Sequence, residues 1–257
     1  MTTSPPVLLA ASHGTSDLSG RRAVASLVSA VAERRRDLTV VGSFVDVQQP
    51  DVPTALDTIG QGDPVVIVPL LLSTGYHVHV DLADAAADAI RSSTPRPVVV
   101  TSALGPDARL ARILSARLAA VGLRDDDSVV LAAAGSSDSG AVDDCRIMGS
   151  LLAAELDRPV TVGFLSAVEP RLEQAVAMAR SESPGRRVVV ASYLLAPGYF
   201  QSLVHRAGGD VVTQPLLIDG QTPPPELVDV VVDRFESQCD EHVSEVYQGR
   251  SAHATTW

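Results

Sequence analysis

The chain has 257 residues, 46% of them hydrophobic, and its 31 acids against 20 bases give a formal net charge of −11. Every base is arginine, so chemistry that needs an ε-amine is excluded, including a Walker-type phosphate lysine and a Schiff base. The acidic balance also argues against a nucleic-acid binder, which presents a basic stripe, and makes a small molecule the expected partner.

In chain order, a short apolar run (Val7–Ala11) is followed by a loop of small residues, a helical stretch (Arg21–Arg36) and a β-branched run (Leu38–Val47). A turn marked by Pro50 and Pro53 leads to a helix near Thr54–Ile59 and then to the near-continuous apolar run Pro64–Leu72, the signature of a strand covered on both faces. Amphipathic segments at Val80–Arg91 and Ala108–Val121, with a strand at Pro97–Ser102 between them, complete the unit, and Arg124–Ser128 reads as a charged linker. Strands alternating with helices of 10–15 residues predict βαβ units and a parallel sheet.

The unit then repeats. Val129–Asp138 echoes Leu8–Asp17, Val162–Pro170 echoes Val41–Pro50, and Val188–Phe200 echoes Val65–His77, at offsets that stay between 120 and 123 residues. The sequence therefore predicts an internal duplication: a first domain over 1–123, a second over 124–237, and a loosely ordered tail over 238–257. Ligands of open α/β sheets bind at the carboxyl ends of the strands, so a cleft between equivalent loops is the expected site. Cys145 and Cys239 stand far apart without CxxC companions, which fits a reducing cytoplasm. No basic leader and no membrane-length apolar run is present, and a cytoplasmic location with no membrane partner is expected.

One copy serves as a control for the other, because residues needed only for the fold should persist in both. Gly14 pairs with Gly135, Pro50 with Pro170, Gly75 with Gly198 and Tyr76 with Tyr199. The polar chemistry falls away: His13 becomes Ala134, Asp46 becomes Ser166 and His77 becomes Phe200. A lone histidine after an apolar strand is ordinarily a satisfied polar residue. Three such losses, all expected at or near strand ends of one half, point instead to two imidazoles and a carboxylate able to hold a divalent transition metal and accept protons. His79, two residues past His77, would share its face on an extended segment and is a further candidate. His205 reads as a surface residue, and Cys239 with His242 is too isolated to form a metal site.

Ser12-His13-Gly14-Thr15, Phe44-Val45-Asp46 followed by Pro50, and Pro69 through Gly75 and His77 to Asp81 resemble the motifs of the CbiX/SirB class of sirohydrochlorin chelatases, as does Leu104-Gly105-Pro106-Asp107 before a helix. The resemblance covers the whole chain, since long members of the class carry two such halves. It implies two tandem three-layer α/β/α chelatase-like lobes and insertion of Fe2+ into sirohydrochlorin to give siroheme. The alternatives are a cobaltochelatase using Co2+, or a carrier that binds metal or tetrapyrrole without turnover. His13 and His77 match the family's metal-handling histidines, with Asp46, where members commonly have glutamate, in the acidic role. Gly14, Thr15, Ser16, Arg21, Arg22, Ser73, Thr74, Gly75 and Tyr76 would line the substrate, Arg21 and Arg22 standing in for an arginine that many members carry just after the first histidine. No permanently bound cofactor is implied, and the chain is expected to act as a monomer or homodimer. The absence of a histidine-rich or cluster-bearing extension favours iron over cobalt. A histidine phosphatase would need arginine at position 12, where serine stands, and the Gly135–Gly140 loop lacks the elbow of a serine hydrolase.

Overall fold

A computed structural model describes the backbone of residues 5–60, 62–73, 75–91 and 96–252, and the side chains of these except at 76–81 and 239–252. The first copy runs β1 (Val7–Ser12), α1 (Leu18–Arg34), β2 (Val40–Phe44), α2 (Val52–Thr58), β3 (Val65–Pro69), α3 (Tyr76–Arg91), β4 (Val98–Val100) and α4 (Ala108–Ala120). The second repeats this order as β5 (Ser128–Ala133), α5 (Ser139–Leu156), β6 (Val160–Phe164), α6 (Leu172–Glu182), β7 (Val188–Tyr193), α7 (Tyr199–Arg206), β8 (Val211–Val212) and α8 (Pro225–Ala252). Each copy forms a parallel four-stranded sheet, ordered β2-β1-β3-β4 and β6-β5-β7-β8.

In the central strands β1, β3, β5 and β7 apolarity is near-continuous because both faces are buried, and the period of two divides the residues between separate cores. Val7, Leu9 and Ala11 face an outer layer with Val52, Leu56 and Leu82 of α2 and α3, and Val130, Val188 and Val190 do the same towards α6 and α7. Leu8 and Ala10 turn inward, as do Leu131, Ala133 and Tyr193, and all join one central cluster shared by the two copies. The duplication therefore yields two sheets packed around a common helical layer.

That layer is exchanged. Helix α4 packs against α5 and β7 of the second copy, whereas α8 packs against α1 and β3 of the first. Two arginines fix the exchange reciprocally. Arg117 on α4 donates to the carbonyls of Pro215 (3.3 Å) and Leu216 (2.9 Å), and Arg234 on α8 donates to those of Ala103 (2.9 Å) and Leu104 (3.1 Å). Ion pairs Arg34–Asp229, Arg35–Glu236 and Arg109–Asp233 reinforce α8 against the first copy.

Two sequence expectations change here. The β-branched run Leu38–Val47 is strand only to Phe44, because the chain turns at Asp46, whose carbonyl accepts from Gln48 N, with Val47 at φ +63. The helix expected from Val80 begins at Tyr76, one turn before the apolar periodicity that marks it. The backbone of α8 continues as helix to Ala252, across most of the 238–257 tail, and residues 253–257 lie outside the described residues.

Candidate functional site

In each sheet the chain starts at an inner strand, runs to one edge and then crosses over, so that the loops after the two central strands leave for opposite faces. Such a switch point opens a crevice at the strand carboxyl ends. In the first copy it lies between the β1–α1 loop, which carries His13–Asp17 to the inner layer, and the β3–α3 loop, Leu70–Gly75, which leads to the outer layer. The second copy forms its own between the loops 134–138 and 194–198.

His13 is exposed immediately beyond β1. Gly14 follows at φ +91, and a Cβ there would collide with the carbonyl of Asp46, so glycine is required both by backbone conformation and by close approach. The β2–α2 loop is laced alongside: Val45 N donates to Ser12 O (2.8 Å), Asp46 N to His13 O (3.1 Å) and Thr15 N to Gln48 Oε1 (2.9 Å). His13 and Asp46 are thus neighbours through their backbones. The Asp46 carboxylate is exposed and accepts from Val47 N at 2.7 Å. The second copy keeps the scaffold without the chemistry. Gly135 (φ +85) lies equally tight on Ser166 O, Ala167 repeats the positive φ of Val47 at +63, and Ser166 Oγ donates to Ala134 O at 2.8 Å.

Asp17 caps α1, accepting from Ser19 N (2.9 Å) and Gly20 N (3.0 Å), and Asp138 caps α5 in the same way. Hydrogen bonding from the Ser19 side chain holds the Asp17 carboxyl below its usual range. Ser16 is exposed and Thr15 half-buried.

The arginines expected to grip carboxylates already have partners. Arg21 Nε donates to Thr15 O at 2.8 Å, bracing the site loop. Arg22 forks onto Asp219 of the second copy, its Nε 2.9 and 3.2 Å from the two oxygens, and this bonding holds the Asp219 carboxyl below its usual range. A ligand carboxylate at Arg22 would compete with Asp219.

On the other side of the crevice, His77 stands in the first turn of α3, and its side chain, like those of Tyr76 and His79, lies outside the described residues. The backbone that carries His77 and His79 is helical, not the extended segment on which His79 was expected to assist. Thr74 lies outside the described residues altogether. Ser73 and Gly75 are half-buried. Of the leucines in the two loops, Leu70 and Leu194 belong to the core at 2% and 6% exposure, and Leu71, Leu72 and Leu195 are half-buried. His205 is exposed and meets Gln201 at 3.3 Å.

The two crevices meet reciprocally. A Cβ built on Gly198, in the second copy's loop, would stand 3.6 Å from Thr15 Oγ1, and one on Gly75 would stand 3.9 Å from Ser136 Oγ, at the position equivalent to Thr15. A Cβ on Gly20 would collide with Pro197 O.

Sequence reasoning missed one brace. Tyr193, fully buried at the end of β7, donates from its hydroxyl to Leu72 O in the first copy's site loop at 2.9 Å. Gly105 is packed onto this bond so tightly that a Cβ would collide with both oxygens. Complete burial pushes the phenol well above its ordinary pKa, keeping it a donor. Beside it, burial pushes the Cys145 thiol up to about 11, against a hydrogen bond with Ser73. The signal available in sequence was Tyr193 standing where the first copy has Leu70.

Among the described residues no three His, Cys, Asp or Glu side chains form a group able to hold a metal. Nor is any helix of the described residues long and apolar enough to cross a membrane. The CbiX family model matches residues 7–121 and 128–217, one span for each copy. A sirohydrochlorin ferrochelatase of Priestia megaterium is 28% identical over 160 residues, which is 60% of this chain and 60% of the relative's own length. Among solved structures, SirB of Bacillus subtilis with Fe3+ superposes with a TM-score of 0.74 at 21% identity, covering 90% of this chain and 94% of that one. CbiX, described as the terminal enzyme for siroheme biosynthesis in denitrifying bacteria, gives 0.60 at 19% identity, covering 91% and 99%. The two duplicated α/β lobes of this chain share the fold of these two structures. With both spans matched, the chain belongs to the CbiX family.

Proposed function

We propose that the protein is a metal chelatase that inserts Fe2+ into sirohydrochlorin to give siroheme, with His13, His77 and Asp46 as the reacting groups. The observation that carries this reading is the lacing of the His13–Gly14 loop onto Asp46 at the switch point of one copy, in a chain whose other copy keeps the loop and loses both side chains. Metallation releases two pyrrole protons while the hydrated dication sheds water. Neutral imidazoles bind such a metal reversibly and accept protons near neutral pH. His13 delivers the metal and takes up a proton, His77 does so from the start of α3 across the crevice, and Asp46 orients the imidazole of His13 or ligates directly. Gly14 to Ser16 and Ser73 to Tyr76 line the macrocycle's approach. The metal is substrate, and no cofactor stays bound. The named activity of the Priestia megaterium relative supports iron as the metal. The reaction takes place in the cytoplasm, with the chain acting as a monomer or homodimer.

The test is anaerobic metallation of sirohydrochlorin with Fe2+ and Co2+ by wild type, His13→Ala and His77→Ala. Multiple turnovers by wild type, faster with Fe2+, and rates lowered at least tenfold in both variants are expected. Variant rates within a factor of two of wild type would sink the residue assignment. At most one equivalent metallated by wild type would make the protein a carrier.

A further inference from the structure

The second copy has lost the site's polar groups, yet it has not become featureless at the same place. Where the first copy begins α3 with Tyr76-His77, the second begins α7 with Tyr199-Phe200. Tyr199 is 70% exposed and Phe200 38%, with ring centroids 6.0 Å apart and planes tilted by 38°. Folded chains keep large aromatic rings out of water, and this one has only nine aromatic residues to place. Two adjacent rings left open at the mouth of a crevice offer an apolar face that a ligand can cover.

Their position says which. Gly198, immediately before Tyr199, stands against Thr15 of the loop that begins with His13, and Pro197 meets Gly20 in the first turn of α1. Across that seam lies Leu18, 66% exposed, and Val47, 55% exposed, follows Asp46 in the loop laced to His13. Four of the exposed large apolar side chains among the described residues thus sit at the strand carboxyl ends that frame the two crevices. An exposed apolar patch rimmed by polar loops marks a ligand-binding groove. A flat conjugated ring takes up such a patch well, because aromatic side chains meet it face to face with an offset or edge to face.

Resting on the chelatase reading above, we propose that Tyr199 and Phe200 form an aromatic seat for one face of the tetrapyrrole. The second copy is then a substrate-binding half, and the loss of a ligand at position 200 is the gain of a ring. The two copies divide the work: the first supplies metal and proton chemistry, and the second holds the plane of the macrocycle at the seam.

The test measures binding apart from turnover. Metal-free sirohydrochlorin is titrated into the full chain and followed by its visible absorption, and Fe2+ insertion is measured over a range of macrocycle and of metal concentrations. Tyr199→Ala with Phe200→Ala should weaken macrocycle binding and raise its KM at least tenfold, with the KM for Fe2+ unchanged. Tyr199→Phe should bind as wild type does, and Met178→Ala, which removes an equally exposed apolar side chain from α6, should change nothing. Unchanged macrocycle binding in the double alanine variant, in a wild type that turns over, overturns the seat and leaves the chelatase reading standing. A wild type that binds the macrocycle through these rings but never metallates it keeps the seat and overturns the chelatase reading. A wild type that does not bind the macrocycle overturns both.

Discussion

The brace between the copies can be tested at the single hydroxyl of Tyr193. Tyr193→Phe removes the donor to Leu72 O while keeping the ring that fills the core. A net hydrogen bond contributes about 0.5–1.5 kcal/mol, and an acceptor left without a partner away from water raises the loss towards about 2. For a chain of this size each kcal/mol moves the Tm by about 2–4 °C, so a drop of about 1–8 °C is expected. Gly105→Ala perturbs the same point from the other side, because its new methyl collides with the Tyr193 hydroxyl and the Leu72 carbonyl. Overpacking of this kind costs about 1–3 kcal/mol. The two changes should not add. Removing the hydroxyl gives the methyl room on one side, so the double variant should be less destabilised than the sum by at least about 0.5 kcal/mol, the carbonyl collision remaining. Denaturant unfolding of wild type, both single variants and the double variant, followed by circular dichroism, supplies the cycle. Costs that add within error, or a neutral Tyr193→Phe, would refute the contact as the brace of the site loop.

Gly14→Ala and Gly135→Ala impose the same strain on equivalent positive-φ positions, about 1–3 kcal/mol each. Both should lower the Tm alike, but only Gly14→Ala should abolish metal insertion, which a shared activity loss would contradict. Arg187 donates to Asp127 from Nε (3.0 Å) and Nη2 (2.6 Å), and this bonding holds the Asp127 carboxyl below its ordinary range. Its stabilisation is complete above the unfolded pKa of about 4 and disappears as pH falls through the depressed native value. The gap between wild type and Asp127→Asn, about 1–3 kcal/mol at pH 7, should therefore close on acidification, and a gap that widens would refute the pairing. Arg22→Ala should change the Tm little because the pair with Asp219 is exposed on the arginine side, and any difference should vanish in 1 M salt. If instead Arg22 grips substrate, the macrocycle KM will rise in that variant.

The repeat and the alternation of strands with helices were legible because both are written locally. The β-branched runs, the capping aspartates at 17 and 138 and the glycines at 14 and 135 recur at nearly one offset. The comparison of copies also picked out His13 and Asp46, which the structure brings together. Long-range partners were not legible. Nothing near Arg22 announces Asp219, 197 residues away, and nothing near Leu72 announces Tyr193. Helix α4 carries its apolar stripe at Leu110, Leu114 and Leu118 whichever sheet it covers, so periodicity fixes that a face is buried and leaves the partner open. The first turn of α3 was missed because its residues precede the amphipathic stretch.

The exchange of α4 and α8 bears on how the chain is tied together. Cut at the charged segment 124–127, each piece would keep its own sheet but lose the helix, carried by the other piece, that covers its inner face. Residues 1–123 would display the leucines of α4, and the remainder would display Leu227, Val231 and Phe235 of α8. Separately synthesised, the pieces should be insoluble or should pair with themselves, and mixed they should complement one another into a working molecule. The peptide link is then a convenience of stoichiometry: the clasp of helices does the joining, and a change in either helix has to be answered in the opposite copy.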